Sequence, residues 1–169
     1  MVSKIQSLRC IRAGFVGVFI LIAVRAFAAI AGQPDAADVK TIDSCLADAT
    51  TSKSDPDNCI GKFAKSCAEK AATLAATLEC NNRELLVWHV ALSRDYARLS
   101  ERLVDVGAKQ ALGDVERAFL IAKEKLCAFE RIAHKNSPDG LAAAARCDLK
   151  ATARQDLWLI QQVNSFNSP

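Results

Sequence analysis

Histidine is scarce in this chain of 169 residues: only His89 and His134 are present, far apart in sequence. They cannot form a His-Glu-x-x-His helix or a recognisable zinc spacing. None of the seven cysteines is separated from another by two residues, which removes the thioredoxin-type redox motif. No Gly-x-Ser-x-Gly elbow and no phosphate-cradling glycine loop occurs. Seven glycines and four prolines are too few for a low-complexity or linker-rich chain. Strand patterns of alternating apolar and polar residues are also missing. Nor is there an excess of one charge. The formal +3 arises because Lys4, Arg9, Arg12 and Arg25 lie in the first 28 residues, which hold no acid; the remainder carries 18 basic against 19 acidic residues. A nucleic-acid footprint needs clustered Lys and Arg that this remainder lacks. Catalysis, a cofactor, a metal and a nucleic-acid partner are therefore not expected.

What is present begins with the leader. Three basic residues in 1–12 precede an apolar and glycine run over 13–24, followed by small residues at the spacing of an export cleavage site in Ala26-Phe27-Ala28 and again in Ala29-Ile30-Ala31. This predicts a signal peptide over 1–31, cleaved after Ala28 or Ala31, and a periplasmic or secreted domain over 32–169. The rival is a retained membrane anchor over 13–31, which Arg25 interrupts. Cys10 precedes the apolar run and leaves with the leader. Export makes paired sulfurs the default for Cys45, Cys59, Cys67, Cys80, Cys127 and Cys147. Cysteine arithmetic leaves the connectivity open. Sequential neighbours are the expectation: Cys45 with Cys59, Cys67 with Cys80, Cys127 with Cys147, each worth about 3 kcal/mol through lost chain entropy.

Hydrophobic periodicity predicts an all-α fold. Short helical pieces are expected over 39–49 and 58–65, separated by a polar loop around Asp55-Pro56-Asp57. From Thr73 onward, Leu85, Trp88, Leu92, Tyr96, Leu99 and Leu103 advance by three or four residues and mark one helical face. A Cys67–Cys80 bridge requires a bend between those residues, with Thr73 the expected cap. Gly107 and Gly113 read as punctuation. Leu112, Val115, Phe119, Ala122, Leu126, Phe129 and Ala133 then repeat the spacing and predict a buried stripe on a helix over 109–134. Ser137 and Pro138 suit a cap and first helical position, opening a third helix that buries Leu149, Ala153, Leu157 and Ile160. The expected architecture is an up-down-up bundle of three helices with a short disulfide-tied helical N-terminal segment.

Glu79-Cys80-Asn81-Asn82-Arg83-Glu84, followed by Trp88, Leu92 and Tyr96, then Cys127, Cys147, Thr152-Ala153-Arg154 and Leu157, together resemble the lysozyme inhibitor LprI-like domain family of small exported bacterial proteins. The resemblance runs from about Cys45 to Val163. His89 stands where the family usually has an acid and Ser93 where it has asparagine. Val115-Glu116-Arg117-Ala118-Phe119 replaces an Ala-Gln-Arg-x-Trp run. The resemblance implies a non-enzymatic helical binding domain whose partner is a lysozyme-type cell-wall hydrolase. The alternative, from the residues alone, is a non-inhibitory structural or assembly protein of the envelope.

Three placements follow. Glu84 and Arg154 fall at similar heights on the first and third long helices and are expected to form a partly buried ion pair. Trp88 and Tyr96 read as core aromatics with polar tips, His89 as solvent-facing, and His134 as a cation suited to a helix C-terminus. Asp35, Asp38, Asp43, Asp48, Asp55 and Asp57, opposed by Lys40 and Lys53, form the acidic surface on which a basic lysozyme would be sought.

Overall fold

The computed structural model describes residues 33–166, all helix, turn or loop, with no strand among them. The leader, both cleavage candidates and Cys10 lie outside the described residues. Five α-helices follow one another: α1 (Ala36–Ser52), α2 (Lys62–Ala68), α3 (Leu74–Arg102), α4 (Val106–Ala133) and α5 (Pro138–Ser165), with one 3-10 turn (Pro56–Cys59) between α1 and α2.

The starts of the helices follow local side-chain chemistry. Asp35, Thr73, Asp105 and Ser137 each accept a bond from a backbone N–H of the first turn, of Ala37, Ala76, Ala108 and Gly140 respectively. Thr73 is thus the cap that the Cys67–Cys80 bridge requires, and the bend lies between Ala68 and Leu74. Pro138 occupies the first turn of α5. Helix α1 is longer than its apolar core suggests, because Asp35 starts it early and Lys53, in the left-handed region, ends it late.

Gly107 and Gly113 do not punctuate the chain; both lie inside α4. A methyl group on Gly113 would meet Arg117 Nη1 at 3.6 Å and Tyr96 Oη at 3.7 Å, ordinary contact distances. Glycine costs helix interiors roughly 0.5–1 kcal/mol relative to alanine. Gly113→Ala is therefore expected to raise unfolding stability by about that amount, read as a higher urea midpoint. Gly140 differs: its Cβ would sit 2.9 Å from the Arg131 carbonyl, where α5 starts against the end of α4.

Helix α3 packs along α5, and α4 packs mainly on α5, while α1, the 3-10 turn and α2 gather over α3 and the adjoining part of α5. One core joins Ile42, Val87, Trp88, Leu149, Ala153 and Leu157; the other joins Leu92, Leu99, Leu112 and Leu159, with Tyr96 and Trp158 against them. Trp88 is fully buried, as its place in the α3 stripe predicts. The three expected bridges form, Cys45–Cys59, Cys67–Cys80 and Cys127–Cys147, with Cα separations of 5.8, 5.7 and 5.4 Å. They tie α1 to the 3-10 turn, α2 to α3, and α4 to α5.

The apolar stripe expected on the second long helix is only partly buried. Leu112 and Cys127 face inward, but Glu116 and Lys123 share that inner face, where Glu116 accepts a bond from Gln155 Nε2 at 3.3 Å and Lys123 lies 2.7 Å from Asp148 Oδ1. These polar contacts set the rotation of α4, so Val115, Ala122, Leu126, Phe129 and Ala133 turn to solvent.

Candidate functional site

The motif residues on α3 act as a clasp for the N-terminal segment. Arg83 donates from Nε and Nη2 to both oxygens of Asp38 on α1, at 2.9 and 2.6 Å, and stacks over the Phe63 ring. Its neighbour Glu84 is completely buried and accepts from Gly61 N–H at 2.7 Å, Ala64 N–H at 2.7 Å and Trp88 Nε1–H at 3.0 Å. Gly61 precedes α2 with φ of 79° and offers no capping side chain. Glu84 supplies that cap from another helix. Glu79 is exposed one turn earlier.

The expected Glu84–Arg154 ion pair does not form. Arg154 points outward from α5, because its neighbours Thr152, Ala153, Asp156 and Leu157 take the inner face, and its Nε bonds Asp57 Oδ2 at 3.0 Å. Arg154 thus ties α5 to the 3-10 turn. Both side chains of that pair are substantially exposed, so its contribution is small. Arg154→Met is expected to lower unfolding stability by less than about 1 kcal/mol in a thermal melt.

Two further polar clusters lie between the long helices. Asp95 on α3 is buried and accepts from Arg94 at 2.7 and 3.2 Å and from Arg98 at 3.1 Å. Asp156 on α5 is fully buried, and neither of its oxygens accepts a bond from any described donor. Burial, then the nearby Asp95 charge, push its carboxyl up to about 7, against a partial offset from Arg94. A proton on Asp156 supplies the hydrogen for a bond to Asp95.

In the second cluster, Lys123 lies 3.3 Å from Thr152 Oγ1 as well as beside Asp148. His89 is half-buried rather than solvent-facing; burial first, then Lys123, hold its imidazole below the usual range, while Asp148 opposes them. A lysine beside a hydroxyl has the composition of an activated nucleophile. Thr152 is wholly buried, so the arrangement serves helix packing. His134 caps the end of α4, exposed, where its position predicts it. Among the described residues no group of three or more His, Cys, Asp or Glu could hold a metal.

Sequence reasoning missed Asp38, Asp95 and Asp156 as interior groups, yet the last two had a signal. Asp95 continues the spacing of Glu84, Trp88 and Leu92 into Leu99, and Asp156 lies between Ala153 and Ile160 on the α5 stripe.

The acidic surface expected on the N-terminal segment keeps Asp35, Asp43, Asp48 and Asp55 exposed, but four of its six acids already make contacts. Asp35 and Asp55 cap turns, Asp38 is buried under Arg83, and Asp57 holds Arg154. An open apolar surface lies on α4. Val115, Ile121, Leu126, Phe129 and Ile132 are between 42% and 63% exposed and, with Ala118 and Ala122, fall on one side of the helix.

The chain matches no family model and no solved structure. It is similar to the uncharacterized 17.7 kDa protein in puhA 5'region of Rhodobacter capsulatus, with 32% identity over 147 residues that cover 78% of this chain and 86% of that protein.

Proposed function

We propose that this chain, which belongs to the same family as that Rhodobacter capsulatus protein, is an exported binding protein that acts without catalysis and blocks a lysozyme-type cell-wall hydrolase. Three disulfides support export, since such bridges persist in oxidising compartments. No helix among the described residues is long and apolar enough to cross a membrane. The reading takes α3, α4 and α5 as an up-down-up trio braced by the Cys127–Cys147 bridge.

The observation that carries binding is the open apolar side of α4. Exposed apolar side chains gathered on one helix side, here with Lys125 among them, mark an interaction site more often than an accident of packing, and a disulfide-braced helix offers them at little ordering cost. Since four of the six N-terminal acids already serve the fold, the contact with a hydrolase is placed on α4 rather than on the N-terminal segment. Lysozyme clearing of a cell-wall suspension, with a stoichiometric excess of the oxidised protein, tests this. Slower clearing, restored by Phe129→Asp, is expected; clearing at the full rate with the wild-type protein would end the inhibitor reading.

A second reading, an assembly protein of the envelope, is favoured by the apolar rather than acidic character of this surface, which suits a helical partner better than the cleft of a basic enzyme. Here a single stoichiometric partner unrelated to muramidases should be captured from envelope extract by the wild type and lost with Phe129→Asp. Equal capture by both would remove α4 from the interaction.

A further inference from the structure

On the side of α5 that faces α2, a groove of about 540 Å3 runs between α2, α3 and α5. Ile60, Ala64, Ala68 and Leu149 give it an apolar floor, and Lys65, Arg146 and Lys150 stand along it, with Glu69 the one acid in its lining. Arg83, Arg94, Arg98, Lys123 and Arg154 each hold a carboxylate, whereas exposed cations such as Lys40 and Arg131 do not, and the groove gathers three of the second kind. Lys65, Arg146 and Lys150 hold none. Arg146 and Lys150 are also four residues apart on α5, a like-charge spacing that costs an isolated helix stability.

The groove contains one buried polar group as well. Asn81 is 6% exposed and gives one Nδ2 hydrogen to the Thr77 carbonyl at 2.9 Å; among the described residues no acceptor takes the second. The Cys67–Cys80 bridge fastens α2 to α3 beside the groove, so its walls are set before any ligand arrives.

Apolar floor, three uncompensated cations and a spare amide hydrogen describe one kind of ligand. We propose that this groove binds a small amphiphile bearing one anionic head group on a single aliphatic chain, the head lying against Arg146, Lys150 and Lys65 and the chain over Ile60, Ala64 and Leu149. The volume lies within the range of small-molecule sites. A free inorganic anion would leave the floor unused, and a neutral chain would leave the cations unmatched. Carboxylate and phosphate heads satisfy the same cations, and the assay separates them.

Isothermal titration of the oxidised protein with dodecanoate and with dodecyl phosphate, both below their micelle concentrations, tests the assignment. Dodecyl maltoside, inorganic phosphate and a hexaglutamate peptide serve as comparisons. At least one anionic amphiphile should bind one to one, with at least tenfold higher affinity than the neutral amphiphile or inorganic phosphate, and the stronger of the two identifies the head group. Arg146→Gln with Lys150→Gln, both exposed and without a structural partner, should weaken that binding at least tenfold at unchanged circular dichroism. Ala68→Phe, which obstructs only the α2 side, should weaken it as well, while Phe129→Asp on α4 should leave it intact. Equal affinity for dodecyl maltoside, binding that survives loss of both cations, or preference for hexaglutamate would overturn the proposal.

Discussion

Urea unfolding of Asp156→Asn at pH 8.5 is expected to show a protein more stable than the wild type, by an amount on the order of 4 kcal/mol at most. Below pH 4 the two proteins should converge. The carboxyl of Asp156 has an ordinary value of 3.8 and is pushed up to about 7 in the folded chain. Its folded form therefore binds the proton more tightly than its unfolded form. Between those two values the native state holds more protons, so stability falls as pH rises, and the loss is complete once pH passes the folded value. Asparagine keeps the shape of the protonated acid and can donate to Asp95 as that acid does, without acquiring charge.

The groups around the pair define what else titrates there. Asp95, Arg94 and Arg98 face it from α3, and Asp43 on α1 acts on Arg94. Arg94 and Arg98 are directed at Asp95, and neither oxygen of Asp156 accepts a bond from them. His89 acts in the opposite sense: its lowered value means that stability falls as pH drops through the ordinary histidine range. Comparing variant and wild type cancels the His89 contribution and isolates Asp156. A variant whose pH dependence matched that of the wild type would show that Asp156 is ionised and solvated in the native protein.

Legibility of this fold in its sequence follows the range of the interaction. Caps and turns act over three or four residues, and Thr73, Ser137 and Pro138 announce the starts of α3 and α5 without help from the rest of the chain. The sequential sulfur pairing is an expectation that the bridges meet, although Cys59 lies nearer in sequence to Cys67 than to Cys45 and spacing alone does not decide it. Rotation of α4 was not legible. An apolar spacing marks a face but does not say whether that face meets protein or water, and Lys123 and Glu116 decided it through Asp148 and Gln155 on α5. Arg154 failed for a related reason: equal height on two helices does not make two side chains point at each other. The candidate groove was invisible in sequence, since Lys65, Asn81 and Arg146 belong to three different helices and meet only after α2 has docked.

Docking of α2 depends on one carboxylate, and Glu84→Ala is expected to cost about 3–5 kcal/mol of unfolding stability, a large part of what a domain of this size possesses. Helix α2 has seven residues, too few to persist alone. Its first-turn donors end on Glu84: Oε1 takes Gly61 N–H, Oε2 takes Ala64 N–H, and Oε1 also takes Trp88 Nε1–H. Removing the carboxylate, itself fully buried, strands three donors, and the gap lies beside the largest side chain of the core. Glu84→Gln retains one acceptor oxygen but turns an amide N–H toward a donor, so its loss should fall between those of the wild type and the alanine variant. The Cys67–Cys80 bridge keeps α2 tethered in every case, which makes the effect local before it is global. Hydrogen exchange should therefore quicken first at the amides of Gly61 and Ala64, with a change in Trp88 fluorescence, while the middle of α5 stays protected. Unaltered exchange at those two amides would mean that something other than Glu84 holds the start of α2.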